Sequence, residues 1–146
     1  MKFVHHASRA SLEALQRELD REAASSGIEL GIINIWGEPD AIYIGLEDEG
    51  MMVGVATLDC FAEGICSFHK LYVAPSNRQA RSGRDLVAEA LKLAERTGLK
   101  LVGVQVTGNS GRFWRACAQA HGGDDDDFPI IEFALPRQWR RGFEQH

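Results

Sequence analysis

Apolar positions recur along this chain at two periods, and the switches between them mark its elements. Over residues 84–97, Leu86, Val87, Ala90, Leu91 and Ala94 fall at spacings of three and four, while Asp85, Glu89, Lys92 and Arg96 share the opposite face. That stripe predicts an amphipathic helix. Ser82 is placed to cap it, with Asp85 three residues on, and Gly98 suits a left-handed stop. An earlier helix is predicted from Ser8 or Ser11 to Ala24, where Leu12, Leu15, Leu19 and Ala23 line one side and Ser25-Ser26-Gly27 ends it. A later one, over 112–121, stops at Gly122-Gly123.

Between the helices the period falls to two. Residues 41–47 alternate Ile42, Ile44 and Leu46 against Ala41, Tyr43 and Gly45. Asp48-Glu49-Gly50 turns the chain and 51–58 returns it, which predicts an antiparallel hairpin. Residues 59–64 turn again into a strand over 65–74. Pro75, with no N–H for a ladder, ends that strand. Residues 100–106 read as a buried strand reached through a helical crossover, hence parallel to its predecessor. A short strand at 2–6 and a last one at 128–135 complete the set. Residues 28–36 suit either a strand or a short buried helix, and 37–40 make a turn. Residues 136–146, with Arg137, Trp139, Arg140, Arg141 and Phe143, are expected to form a mobile tail. The order predicts one α/β (α+β) domain over 1–146, with a mixed sheet.

Composition narrows the classes of function. The 146 residues suit a single domain, with a hydrophobic fraction of 45% and a charged fraction of 25%. A net charge of −5 argues against a nucleic-acid partner, which needs a basic surface. No apolar run approaches the roughly 20 residues of a membrane span, so no membrane partner is expected. The first residues lack the apolar core of an export signal. Cys60, Cys66 and Cys117 show no metal spacing, which predicts reduced thiols and a cytoplasmic address. His5-His6 lacks partner ligands, so no metal site is assigned. Asp124 to Asp127 form an acidic run, suited either to a solvated loop or to drawing in a polycation.

The richest chemistry sits in the polar turn over 75–83. A turn feeding a helix start offers unpaired N–H groups and the positive end of the helix dipole, which suit phosphate. Leu71-Tyr72-Val73-Ala74-Pro75, followed by Arg78, Gly83 and a helix from Arg84, resembles the acetyl-CoA motif of the GCN5-related N-acetyltransferases, the GNAT superfamily. That motif reads [QR]-x-x-G-x-[GA]. Arg78 matches its first position and Gly83 its last, while Arg81 stands where glycine is usual. A β-carbon there calls for a negative φ, and the guanidinium offers itself to phosphate in exchange. Asn109-Ser-Gly-Arg-Phe113-Trp114, ending in His121-Gly122-Gly123, is similar to a second family segment.

The resemblance covers residues 2–135 and implies a mostly antiparallel sheet of six to seven strands flanked by about four helices. It implies acetyl-CoA as co-substrate, held by Arg78, Gln79, Ala80, Arg81, Ser82, Gly83 and Arg84, with Asn109 on the pantetheine arm. Backbone N–H groups near Leu71, Tyr72 and Val73 would meet the oxyanion. The acceptor would be a primary amine of a small molecule or peptide, and relatives often form homodimers. An alkyl ammonium, pKa about 10.4, needs a base to remove its proton. His69 is the first candidate and Glu63 the second. Trp114 replaces the tyrosine that acts as acid in many relatives, leaving water or Tyr72 for that role or a thiolate that departs unassisted, since an indole N–H is not a usable acid. A different class stays open: a catalytically silent CoA-binding or interaction module of the same fold.

Overall fold

The computed structural model describes residues 1–26, 34–38 and 40–137. The ambiguous 28–36 stretch therefore lies mostly outside the described residues, as does the tail from 138. Among the described residues the order is β1 (Lys2–His5), α1 (Arg9–Ser26), β2 (Ile42–Asp48), β3 (Met51–Ala62), β4 (Ile65–Val73), a 3₁₀ turn (Pro75–Ala80), α2 (Ser82–Arg96), β5 (Leu101–Gln105), α3 (Gly111–His121) and β6 (Ile130–Ala134). The strands form one sheet in chain order, antiparallel except for the β4–β5 pair. The mixed, mostly antiparallel sheet expected from the sequence is what the chain builds.

Two cores sandwich the sheet. On one face Leu86, Val87, Ala90, Leu91 and Ala94 of α2 are fully buried together with Ile44, Leu58, Val102, Ile131 and Phe133. Those five α2 residues are the stripe read from the sequence. On the other face Leu12, Leu15 and Leu19 of α1 pack with Ile35, Val55 and Tyr72. Alternation along β4 sends Tyr72 to the α1 face and Val73 to the α2 face. The site strand thus reaches both layers.

Several boundaries differ from the sequence reading. β3 runs to Ala62 rather than stopping at Leu58, so the turn shrinks to Glu63 and Gly64, where Gly64 takes φ +75°. Within the longer hairpin Cys60 faces Cys66, and the two form a disulfide with Cα atoms 4.1 Å apart. This corrects the expectation of three reduced thiols. Cys117 alone is free, and burial pushes its thiol up to about 11. α2 begins at Ser82, and its cap position is Arg81 without a side-chain bond. The Ser82 hydroxyl instead donates to Asn77 O at 3.2 Å. Asp124 to Asp127 are not a loose loop: Asp124 exchanges backbone bonds with Glu132, extending the sheet beside β6.

The start of the basic tail is anchored. Arg137 donates to Glu95 through its backbone N–H at 2.7 Å, Nε at 2.8 Å and Nη2 at 3.0 Å, and to His121 Nδ1 at 3.1 Å. Arg137 thereby holds the Glu95 carboxyl below its usual range. The folded state then binds fewer protons than the unfolded one, so this contribution is complete above the unfolded value of about 4.3 and is lost as pH falls through the lower folded value. Melting temperature is expected to drop on acidification below about pH 4.3. Glu95→Gln should flatten that drop, a difference readable by calorimetry.

Candidate functional site

Strands β4 and β5 begin side by side and then part. Their pairing covers only Ile65, Cys66 and Ser67 against Leu101, Val102 and Gly103, although β4 continues to Val73. A β-bulge marks the break. Thr57 faces Lys70 and Leu58 faces Phe68, which leaves His69 as the extra residue of β4. Bulges bend and twist the strand that carries them and re-aim its side chains. The gap opens into a cavity of about 540 Å³, bounded by residues 68–73, by Arg78, Arg81, Gly83 and Arg84, and by Phe113 and Trp114 of α3.

Backbone geometry tells which amides face this gap. Ala74 N–H donates to Val53 O on the β3 side. Directions alternate along an antiparallel strand, so Leu71 and Val73 turn their N–H and C=O groups the other way. Val73 O confirms the alternation by accepting from Arg78 Nε at 2.8 Å. Two donors on alternate strand residues, Leu71 and Val73, are thus unclaimed by the sheet and point where β5 has withdrawn. Such fixed donors suit a developing oxyanion.

Beyond the strand, the 3₁₀ turn carries Gln79 and Ala80 into the start of α2. Arg81 joins the two with φ +62° and ψ 19°. The chain therefore keeps the left-handed bend that glycine ordinarily supplies, against the expectation of a negative φ, and carries a β-carbon through it at a cost of about 1 kcal/mol. Its exposed guanidinium, with that of Arg84, borders the cavity at the α2 N-terminus. Gly83 lies where an added Cβ would come within 3.2 Å of the Phe113 ring. Ser82 is 1% exposed, and its hydroxyl is taken by Asn77 O. Arg81→Gly is expected to raise stability by about 1 kcal/mol through relief of the bend, and to weaken acetyl-CoA binding about five-fold through loss of one cation. Urea unfolding and calorimetric titration read the two opposite effects.

Arg78 borders the same cavity. Its guanidinium grips Glu22 of α1 at 2.7 and 2.8 Å, and Tyr72 Oη donates to the same carboxylate at 2.9 Å. Arg78 holds the Glu22 carboxyl below its usual range. Burial, then the Glu22 bond, pushes the Tyr72 phenol well up. A phenol held so firmly is a poor proton donor to a leaving thiolate of pKa about 8.5. The Glu22–Arg78–Tyr72 cluster ties the loop to α1.

Of the two candidate bases, His69 borders the cavity, with Nδ1 3.3 Å from Asp59 Oδ2. Glu63 sits at the exposed β3–β4 turn, outside the lining. Asn109 is likewise exposed and outside it; Ser110 takes the α3 cap position, and Thr107 and Ser110 line the cavity in its place. Trp114 is buried, its ring 5.1 Å from Phe68 and 5.2 Å from Phe113, forming an aromatic wall. Lys70 also lines the gap, and burial lowers its pKa. Sequence reasoning missed Glu22 and Asp59. Glu22 needed the α1-to-loop contact, while Asp59 would have emerged from extending β3 by one more alternation.

Comparison with known proteins agrees with this geometry. No curated protein sequence matches the chain. Among solved structures, a ribosomal-protein-alanine N-acetyltransferase from Brucella melitensis superposes with a TM-score of 0.68 at 20% identity, covering 92% of this chain and 100% of that one. The ribosomal-protein-S18-alanine N-acetyltransferase of Escherichia coli gives 0.70 at 13%, covering 95% and 96%. A PaiA N-acetyltransferase from Thermoplasma acidophilum, in complex with coenzyme A, gives 0.66 at 16%, covering 92% and 100%. These likenesses show a shared fold. A family model described as the acetyltransferase (GNAT) family matches residues 5–120. With the parted strands and the phosphate-suited helix start in place, the chain belongs to the GNAT family of acetyltransferases, whose acetyl donor is acetyl-CoA.

Proposed function

We propose that the chain transfers acetyl from acetyl-CoA directly to a primary amine of a small molecule or a peptide. One observation carries this: the Leu71 and Val73 amides face the cavity between β4 and β5, beside the N-terminus of α2. The N–H groups at the helix start, with Arg81 and Arg84, suit the diphosphate. Leu71 and Val73 N–H steady the negative oxygen that forms as the amine nitrogen attacks the thioester carbon. Neutral His69 removes the ammonium proton before attack. The C–N bond forms and the C–S bond breaks; the second proton of the attacking nitrogen passes through water to the departing thiolate, and His69 releases the first to solvent.

Release of free thiol from acetyl-CoA, followed across a panel of primary amines, tests the proposal. The panel includes alanine peptides, because two structural neighbours are named as ribosomal-protein-alanine N-acetyltransferases. Amine-dependent thiol release is expected; binding without release from any amine would favour the silent module. A homodimer would use the open sheet edge at β1, since Asp124 already pairs along β6. No helix among the described residues is long and apolar enough to cross a membrane. The Cys60–Cys66 disulfide removes reduced thiols as support for a cytoplasmic address.

A further inference from the structure

We propose that Asp59 is a positioning residue that holds the proton of His69 on Nδ1 and so leaves Nε2 as the accepting nitrogen; this rests on the acetyltransfer reading above. His69 Nδ1 lies 3.3 Å from Asp59 Oδ2. An ionised carboxylate only accepts hydrogen bonds, and a neutral imidazole carries one N–H. A bare Nδ1 lone pair against that carboxylate would be repelled. The favoured tautomer therefore places the hydrogen on Nδ1 and the lone pair on Nε2, the arrangement a general base needs.

Asp59 is itself held in place. Its Oδ1 accepts from Glu38 N–H at 3.2 Å. Gly37 lets that loop come close, since a Cβ at 37 would fall 2.1 Å from Asp59 Oδ1. Three separate segments converge: the loop before β2 fixes the carboxylate, β3 carries it, and the bulge of β4 presents the imidazole. Because His69 is the unpaired residue of that bulge, its ring meets Asp59 while still bordering the cavity. Asp59 does not line the cavity, so its effect passes through His69.

The test is ¹⁵N NMR of histidine-labelled full-length protein, at a pH where imidazole is neutral, beside steady-state kinetics. The native His69 signals are expected to show hydrogen on Nδ1 and a bare Nε2. In Asp59→Asn the Glu38 N–H keeps the amide oxygen, the amide NH₂ turns toward Nδ1, and the hydrogen moves to Nε2. The kcat should then fall about 100-fold, with KM for acetyl-CoA within two-fold of native. A native spectrum with hydrogen on Nε2 would overturn the proposal even if the variant failed to fold. So would Asp59→Asn retaining native kcat. Absence of turnover in the native protein, with the expected tautomer in place, would instead strike the acetyltransfer reading beneath it.

Discussion

Replacing His69 with alanine is expected to lower kcat by about 10²–10⁴-fold, the usual share of a positioned general base. Acetyl-CoA affinity should change little, because the cofactor's diphosphate and carbonyl are assigned to other groups. The variant should fold normally: His69 is exposed and occupies a bulge, so no ladder bond or core contact depends on its ring. Glu63→Gln supplies the contrast. Glu63 lies outside the cavity lining, and its variant should keep native kcat. Full activity in His69→Ala would show that water or Lys70 removes the proton instead.

The second large effect concerns charge at the helix start. Arg81→Glu combined with Arg84→Glu should weaken acetyl-CoA binding by about 10³-fold at low salt, since each reversal replaces roughly 1 kcal/mol of attraction by roughly 1 kcal/mol of repulsion at solvent-exposed distances. The gap between native and variant should narrow as salt rises, because exposed charges are screened. Arg78 is predicted to behave differently. Its guanidinium is already engaged by Glu22 and Val73 O, so Arg78→Ala should cost stability as well as affinity. Thermal melting without ligand separates the two kinds of arginine.

The stripes on α1 and α2 were legible in the sequence because burial there follows helical spacing. The parallel β4–β5 pair was legible because a helix joins the two strands. The limits of β3 were not: Asp59 and Cys60 read as turn residues, and only their partners Ser67 and Cys66 show them in the ladder. Arg81 shows a different limit. Its sequence identity argues for negative φ, yet the joint between the 3₁₀ turn and α2 imposes the left-handed bend. Among the site residues, the family motif pointed to the β4 amides and the helix start, which line one cavity. Local sequence could not supply Glu22, since a contact spanning 56 positions is written only in the fold. Asn109, which the motif match assigns to the pantetheine arm, stands exposed two residues ahead of α3 and outside the cavity lining.

The parted strands are the proposed seat of the acetyl donor, and a crystal structure with bound coenzyme A tests that most directly. The expected result puts the diphosphate within about 3 Å of backbone N–H groups at the start of α2, with the sulfur end running between β4 and β5 beside Leu71 and Val73. Coenzyme A bound on another surface, with that gap closed by side chains, would contradict it.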